Sequence, residues 1–121
     1  MGKNILIIDD NEQDRKIMTK LIKKAGYEDI STAGTAEEGL SHVISKRPDL
    51  VIVDTMLPGT DGFELCRQIR EKQVSYNPKV IIITGSIDAV DAVKAKRVGA
   101  DDYCAKNTDF SVLIDAIKGI C

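Results

Sequence analysis

The sequence lacks the patterns that identify zinc sites, secreted proteins and membrane segments. Its three cysteines, at positions 66, 104 and 121, form no Cys-x-x-Cys pair and it has one histidine, so we expect no structural zinc site. No apolar run approaches the ~20 residues that span a bilayer, and the first run reaches acidic residues too soon for a signal peptide. We therefore expect a reduced, cytoplasmic protein without membrane contact, in which the cysteines at 66 and 104 pack as small apolar groups.

An excess of either charge is also missing. The chain has 17 basic and 19 acidic residues, a net charge of -2 at pH 7 and no basic stripe, so direct binding to nucleic acid is not expected. It shows no repeats, low-complexity tracts or linker-like stretches. Because its length is close to the commonest size of a single domain, residues 1–121 are predicted to form one domain.

Short apolar runs alternate with segments of helical periodicity five times along the chain. Continuous apolar strands indicate burial on both faces, as in a parallel sheet. The alternation therefore predicts an α/β protein with a single five-stranded parallel sheet and helices on both faces. The predicted strands are Asn4 to Asp9, Asp29 to Ala33, Leu50 to Asp54, Lys79 to Thr84 and Asp102 to Cys104; the predicted helices are Glu12 to Ala25, Thr35 (as cap) to Arg47, Gly62 to Lys72, Ala89 to Val98 and Asp109 to Ile120.

Periodicity also predicts which side chains of the helices face the sheet. In the first helix Ile17, Met18 and Ile22 are spaced for one face, and in the second helix Val43 and Ile44 belong to the inner face. The order of the strands within the sheet does not follow from periodicity.

Polar side chains stand at the ends of four predicted strands. Asp9 and Asp10 end the first, Asp54 ends the third, Thr84 ends the fourth and Lys106 follows the fifth. Since parallel strands end at one edge of the sheet, where such sheets bind ligands, we expect these groups to converge. Two carboxylates about 4 Å apart repel by roughly 4 kcal/mol at an effective dielectric of about 20, and Mg²⁺, which prefers oxygen ligands, removes that cost. The pattern predicts a magnesium and phosphoryl site in which a carboxylate can form an aspartyl-phosphate.

Each of these residues has an ordinary structural explanation when it is considered alone. An aspartate after a strand often caps a helix, which could explain Asp10 or Asp61, and a lone lysine is usually a solvated surface group. These separate explanations do not account for the presence of polar or charged side chains at the ends of four strands. A nucleotide-binding fold is disfavoured because the first strand–helix turn, residues 9–13, has neither Gly-x-Gly-x-x-Gly nor a P-loop.

Five segments, in this order and spacing, resemble the response regulator receiver domains of two-component signalling, and among them the chemotaxis-regulator type. The resemblance covers nearly the whole chain and implies a flavodoxin-like fold with strand order 2-1-3-4-5. The matching segments are Ile8-Asp9-Asp10, Pro48 to Asp54, Met56 to Glu64, Ile83-Thr84-Gly85 and Gly99 to Lys106.

The resemblance implies a metal role for four of the matching residues. Asp10 and Asp54 look like direct ligands of Mg²⁺, with Asp9 acting through water. The backbone carbonyl of Met56 looks like a further ligand.

The resemblance also implies how the phosphoryl group is held. Asp54 looks like the phosphoacceptor, while Thr84 and Lys106 look like the groups that bind the phosphoryl oxygens. Tyr103 looks like the aromatic switch that turns inward when Thr84 moves toward the phosphate. The result would be a regulatory switch with a changed helix 4–strand 5–helix 5 face, and not an enzyme beyond its own phosphoryl acceptance and hydrolysis.

The partners implied are a histidine kinase or a histidine phosphotransfer domain, which would dock near Asn11, Gln13 and Asp14. Downstream we expect an effector protein or a covalently attached output domain, and dimerisation on phosphorylation. The chain itself would be either a stand-alone receiver or the receiver part of a longer protein.

Two features depart from the simplest expectation. Lys106 is followed by Asn107 where the family usually has proline, and a cis bond costs roughly 2.5–4 kcal/mol before residues other than proline. We therefore expect a trans bond and Asn107 as a cap of the fifth helix. Met56 is apolar at a place where water must attack, which predicts slow self-dephosphorylation. Two alternatives remain open: a metal-dependent phosphatase that forms an aspartyl-phosphate, and a docking module that no longer cycles phosphate.

Overall fold

The computed structural model describes residues 3–72, 76–106 and 110–120. The predicted alternation of strands and helices is confirmed, with two additional short strands. The elements in these ranges are β1 (Asn4–Ile8), α1 (Glu12–Lys24), β2 (Asp29–Ala33), α2 (Ala36–Lys46), β3 (Leu50–Asp54), β4 (Met56–Leu57), β5 (Thr60–Asp61), α3 (Gly62–Lys72), β6 (Lys79–Thr84), α4 (Ala89–Arg97), β7 (Asp102–Ala105) and α5 (Ser111–Ile120).

Five strands form one parallel sheet in the order β2-β1-β3-β6-β7. This is the order 2-1-3-4-5 once β4 and β5 are left out of the count, because these two pair only with each other. Their hairpin was not predicted as strands, and it turns at Gly59, where φ is +78°. Predicted strands 4 and 5 thus correspond to β6 and β7.

The sheet separates two layers of core side chains. Successive residues of a strand point to opposite faces, so each central strand contributes to both layers. One layer contains Leu6, Ile8, Val51 and Val53 with side chains of α2, α3 and α4; the other contains Ile5, Ile7, Leu50 and Ile52 with side chains of α1 and α5.

Two predicted core positions are wrong. Ile17 and Ile44 are exposed, whereas their neighbours Met18 and Val43 are fully buried. A helix that lies on a flat sheet buries only a narrow stripe, so the residue beside the stripe stays in solvent. Cys66 and Cys104 are buried free thiols, as predicted.

Small boundary differences remain. β1 ends at Ile8, α4 ends at Arg97 with Val98 as its cap, and β7 continues to Ala105. The predicted trans bond before Asn107, its capping role and the start of the fifth helix at Asp109 lie outside the described residues. Among the described helices, none combines the length and the apolar character that crossing a bilayer requires.

Candidate functional site

The carboxyl ends of the sheet strands bring the predicted acidic residues together. Asp9 follows β1, Asp54 ends β3, and Asp10 lies one residue beyond Asp9. Each offers a carboxylate oxygen, and these oxygens all lie within 4.8 Å of one another. Asp10 and Asp54 line an open cleft of about 520 Å³ together with Thr84 and Lys106, and Asp9 is buried. The edge of the sheet therefore gathers the groups that the sequence suggested.

Asp54 is held at both of its carboxylate oxygens. Oδ1 accepts a hydrogen bond of 3.1 Å from the backbone N–H of Met56, and the Thr55 hydroxyl lies 3.5 Å from the same oxygen. Oδ2 accepts a hydrogen bond of 2.7 Å from Lys106 Nζ. Oδ2 is therefore held by the lysine, while Oδ1 is anchored by its own chain.

Asp9 is fully buried. Its Oδ1 accepts a hydrogen bond of 2.9 Å from the Asn11 N–H. Its Oδ2 lies 2.7 Å from Lys106 Nζ, but this contact lacks hydrogen-bond geometry and the oxygen has no hydrogen-bond partner. Burial raises the pKa of Asp9 to about 6; the Asp54 charge adds to the rise, while Lys106 and the Asn11 N–H oppose it. Apart from the ion pair with Lys106, Oδ2 has no described partner, and a buried carboxylate oxygen of this kind is suited to a metal ion, directly or through water.

The structure excludes the capping explanation of Asp10. Asn11, and not Asp10, is the N-cap of α1, because its side chain accepts from the Asp14 N–H at 2.9 Å. Asp10 is exposed and lines the cleft. Asp61 does cap α3, since its Oδ1 accepts from the Glu64 N–H at 2.8 Å. The structural explanation thus holds for Asp61 only.

Lys106 is placed by the backbone of its neighbouring strand. Its N–H donates to the Thr84 carbonyl at 2.7 Å, and its Nζ lies 2.7 Å from Asp9 and Asp54 and 2.9 Å from Asp14. Burial acts to lower the pKa of Lys106, but the carboxylates of Asp54, Asp9 and Asp14 outweigh it and the pKa is raised. The side chain is therefore a charged ammonium at the floor of the cleft. Its contact with Asp14 was not predicted; the only sequence signal is an acidic residue four positions after Asp10.

Thr84 and Tyr103, the two residues of the predicted switch, make no contact with each other in the described hydrogen bonds. The Thr84 hydroxyl donates to the Ser86 carbonyl at 3.0 Å and accepts from the Ser86 N–H at 3.2 Å, so it is bonded to its own turn. The Tyr103 ring packs 6.4 Å from the ring of Phe63 at 45°, and its hydroxyl is buried without a hydrogen-bond partner. Both side chains lack a contact with Asp54 among the described hydrogen bonds.

One residue of the site was missed by sequence reasoning. A Cβ at Gly62 would come within 3.0 Å of the Asp54 carbonyl oxygen and to 3.0 Å of Val53 Cγ1. The start of α3 can therefore pack against the end of β3 only with glycine at this position. The available signal was the glycine itself, because a glycine can mark a place where the backbone must be approached closely.

Comparisons with known proteins agree on one family. The model of the response regulator receiver domain matches residues 5–118. The chain is 35% identical over 106 residues to the alkaline phosphatase synthesis transcriptional regulatory protein PhoP of Bacillus subtilis, which covers 88% of the chain and 43% of that relative. It is 35% identical over 117 residues to the transcriptional regulatory protein AfsQ1 of Streptomyces coelicolor, covering 97% and 50%. The chain thus spans about half the length of these curated relatives.

Solved structures show the same likeness. A two-component response regulator of the LuxR family from Aurantimonas superposes with a TM-score of 0.90 at 30% identity, over 99% of this chain and 85% of that one. The chemotaxis protein CheY4 of Vibrio cholerae gives a TM-score of 0.91 at 22% identity, with both chains fully covered. The second likeness concerns the fold alone.

Proposed function

The chain belongs to the family of response regulator receiver domains, and we propose that it works as a phosphorylation-controlled switch with Asp54 as the phosphoacceptor. The observation that carries the proposal is the 2.7 Å contact of Asp54 Oδ2 with Lys106 Nζ at an acidic cleft. In the reaction, a carboxylate oxygen of Asp54 forms a bond to phosphorus while the bond from phosphorus to the donor histidine breaks and the imidazole keeps the electron pair. Lys106 and the Thr84 hydroxyl bind the phosphoryl oxygens.

The carboxylates of Asp9, Asp10 and Asp54 fit Mg²⁺, with the Met56 backbone carbonyl as a further ligand. Support comes from the cluster of their oxygens and from the buried Asp9 oxygen that lacks a hydrogen-bond partner. When bound, the ion supplies positive charge that offsets the repulsion among the carboxylates and the charge of the phosphoryl group.

The switch would begin at Thr84. Its hydroxyl leaves the Ser86 turn for the phosphoryl group, and Tyr103 moves into the space that this opens. The changed surface is the α4–β7–α5 face, through which an effector, an attached output domain or a second phosphorylated copy would be controlled. We assign a regulatory role in the cytoplasm, with phosphoryl acceptance and hydrolysis as the only chemistry.

The phosphodonor is a histidine kinase or a histidine phosphotransfer domain. It would dock beside the cleft at Asn11, Gln13 and Asp14, all at the start of α1. The relatives named above are transcriptional regulatory proteins, which makes an output domain that acts on transcription the first to test in a longer chain.

Neither alternative is favoured. A phosphatase with its nucleophile at the end of the first strand would need an accessible Asp9, but this carboxylate is buried. A docking module that no longer cycles phosphate would not need three carboxylates and a buried lysine at one cleft.

The proposal is tested with a small acyl phosphate donor, Mg²⁺ and intact-protein mass spectrometry. The wild-type protein should gain the mass of one phosphoryl group, and Asp54→Ala should not. Asp61→Ala, which removes a nearby helix cap, is the matched control and should gain the same mass as wild type. Phosphoryl transfer to Asp54→Ala would disprove the assignment, as would the absence of transfer to wild type both in the presence and in the absence of Mg²⁺. Repeated turnover of a phosphomonoester would favour the phosphatase.

A further inference from the structure

Asp14 is a carboxylate of the cleft that belongs neither to the metal cluster nor to the phosphoryl contacts. Its Oδ2 accepts a hydrogen bond of 2.9 Å from Lys106 Nζ. The side chains of Lys106 and Asp14 are only 13% and 27% exposed, whereas those of Lys16 and Glu12, a pair on either side of Asp14 in the same helix, are 74% and 69% exposed. Solvated pairs of the second kind contribute little. The Lys106–Asp14 pair is shielded from solvent, so the attraction between its two charges is less screened.

The place of Asp14 is fixed by hydrogen bonds that lead back to Asp9. The Asp14 N–H donates to Asn11 Oδ1 at 2.9 Å, and the Asn11 N–H donates to Asp9 Oδ1 at 2.9 Å. Arg15 Nη1 donates to the Asp9 carbonyl at 2.7 Å. The first turn of α1 is therefore attached to the end of β1, and Asp14 is held at a set distance from the acidic cluster.

The lysine ammonium has three N–H donors and three carboxylates within 2.9 Å. Two of these, Asp9 and Asp54, are also members of the cluster that could hold a metal. Asp14 is the one member of the three that is outside it. If a cation or the phosphoryl group engaged the oxygens of Asp9 and Asp54, Asp14 would be the one carboxylate of the three left to hold the ammonium.

We propose that Asp14 is a positioning residue for Lys106. It keeps the ammonium at the cleft while the other two carboxylates change partners, so that one N–H remains directed by Asp14 and the others are available to the phosphoryl oxygens. A lysine has a flexible four-carbon stem and is a point charge rather than a rigid fork, so a second anchor reduces the positions it explores. This inference rests on the proposed function of the cleft.

The first test measures phosphorylation rate against the concentration of a small acyl phosphate at fixed Mg²⁺. Asp14→Ala should lower the maximal rate about tenfold, which corresponds to about 1.4 kcal/mol. It should not raise the donor concentration for half-maximal rate, because it removes a negative charge from the cleft that receives an anionic donor. Asp14→Asn keeps an oxygen acceptor and should fall between Ala and wild type, and Asp14→Glu should recover most of the rate. Glu12→Gln, from the same turn, is the matched control and should keep the wild-type rate.

The second test needs no phosphorylation. The NMR resonance of the Lys106 ε-carbon, assigned with Lys106→Met, reports the surroundings of the ammonium in the metal-free protein. Asp14→Ala should shift or broaden it, while Glu12→Gln should leave it in place. Asp14→Asn provides both readouts if the alanine variant unfolds.

The outcomes separate this inference from the proposed function. If wild type is phosphorylated and Asp14→Ala matches it in rate, the role of Asp14 is wrong and the switch stands. If Asp14→Ala and Glu12→Gln slow the reaction equally, the effect is one of general charge and the positioning role is also wrong. If wild type accepts no phosphoryl group although the Lys106 resonance responds to Asp14→Ala, the proposed function fails and takes the role in phosphorylation with it.

Discussion

Met56 lies two residues after Asp54, with its side chain 78% exposed and its backbone N–H bonded to Asp54 Oδ1. A thioether is at most a weak acceptor, so this side chain cannot orient or activate the water that removes a phosphoryl group from Asp54. At the residue scale, the lifetime of the phosphorylated state should therefore depend on this position.

Met56→Glu or Met56→Asn should shorten the phosphoryl lifetime about tenfold, which is less than the 10²–10⁴ of a fully positioned general base. The loss of the phosphoryl group is followed by mass spectrometry after the donor is removed. Met56→Leu keeps an apolar side chain of similar size and should keep the wild-type lifetime. An unchanged lifetime in both polar variants would refute the role of this position.

Gly62→Ala should destabilise the protein by about 1–3 kcal/mol, as expected when a methyl group is forced into a packed site. The new Cβ would meet the Asp54 carbonyl oxygen, a backbone atom that cannot turn aside. The free energy of unfolding is measured in denaturant. Gly119→Ala is the control, because a Cβ there has no atom within 4 Å and alanine in α5 should stabilise by about 0.5–1 kcal/mol. Equal stability of the two variants would contradict the packing argument.

The proximity of the residues at strand ends could be predicted from the sequence, because parallel strands end at the same edge of a sheet whatever their order. Asp9, Asp54 and Thr84 came together for this reason. The contact of Asp14 with Lys106 could not be predicted in the same way, since it depends on where α1 crosses the sheet. Helical periodicity gives the buried face of a helix but not the position of its first turn relative to a distant strand.

At the scale of elements, α4 has the fewest buried residues for its length among the described helices. Ala95 is its one buried residue, while Val90 and Val93 face solvent. Lys94 Nζ lies 4.8 Å from the centre of the Phe63 ring, a contact worth about 0.5–1 kcal/mol at exposed sites. By contrast α3 buries Phe63, Leu65, Cys66 and Ile69. The helix placed next to Tyr103 is therefore held mainly by small side chains.

Amides of α4 should exchange with deuterium at least about tenfold faster than those of α3, since each large apolar side chain that is buried adds about 1.5–3 kcal/mol. Peptide-level exchange followed by mass spectrometry compares the two helices within one sample. Equal protection of the α3 and α4 amides would show that α4 opens only when the whole domain unfolds. The proposed switch could then not depend on a separate movement of α4.

Prediction of the buried positions failed where two neighbouring residues fitted the periodic pattern almost equally well. Ile17 and Ile44 lie one residue from buried positions, and their apolar character suits the periodic pattern as well as the true inner face. The β4–β5 hairpin was missed because four residues with a turn between them carry too short a pattern to distinguish a strand from a loop.

At the scale of the whole molecule, the five strand–helix units were sufficient to predict the α/β class, and the family resemblance supplied the strand order. The structure shows that both core layers pack against the same sheet, one on each of its faces. Cys66 belongs to one layer and Cys104 to the other, so the two thiols report on opposite sides of the same sheet.

Burial raises the pKa of both Cys66 and Cys104 to about 11. In a Cys121→Ser background, both should resist alkylation at pH 8, where roughly one native thiol in a thousand is ionised, and their labelling should not follow the titration of a free thiol near pH 8.5. Raising the pH toward 11 increases the thiolate fraction and should begin to remove this protection.

Because the layers share β1, β3 and β6, both thiols should become reactive at one denaturant midpoint, as measured by peptide mapping of the label. If Cys104 were labelled well before Cys66, the α1–α5 layer would open independently and the sheet would not couple the two sides.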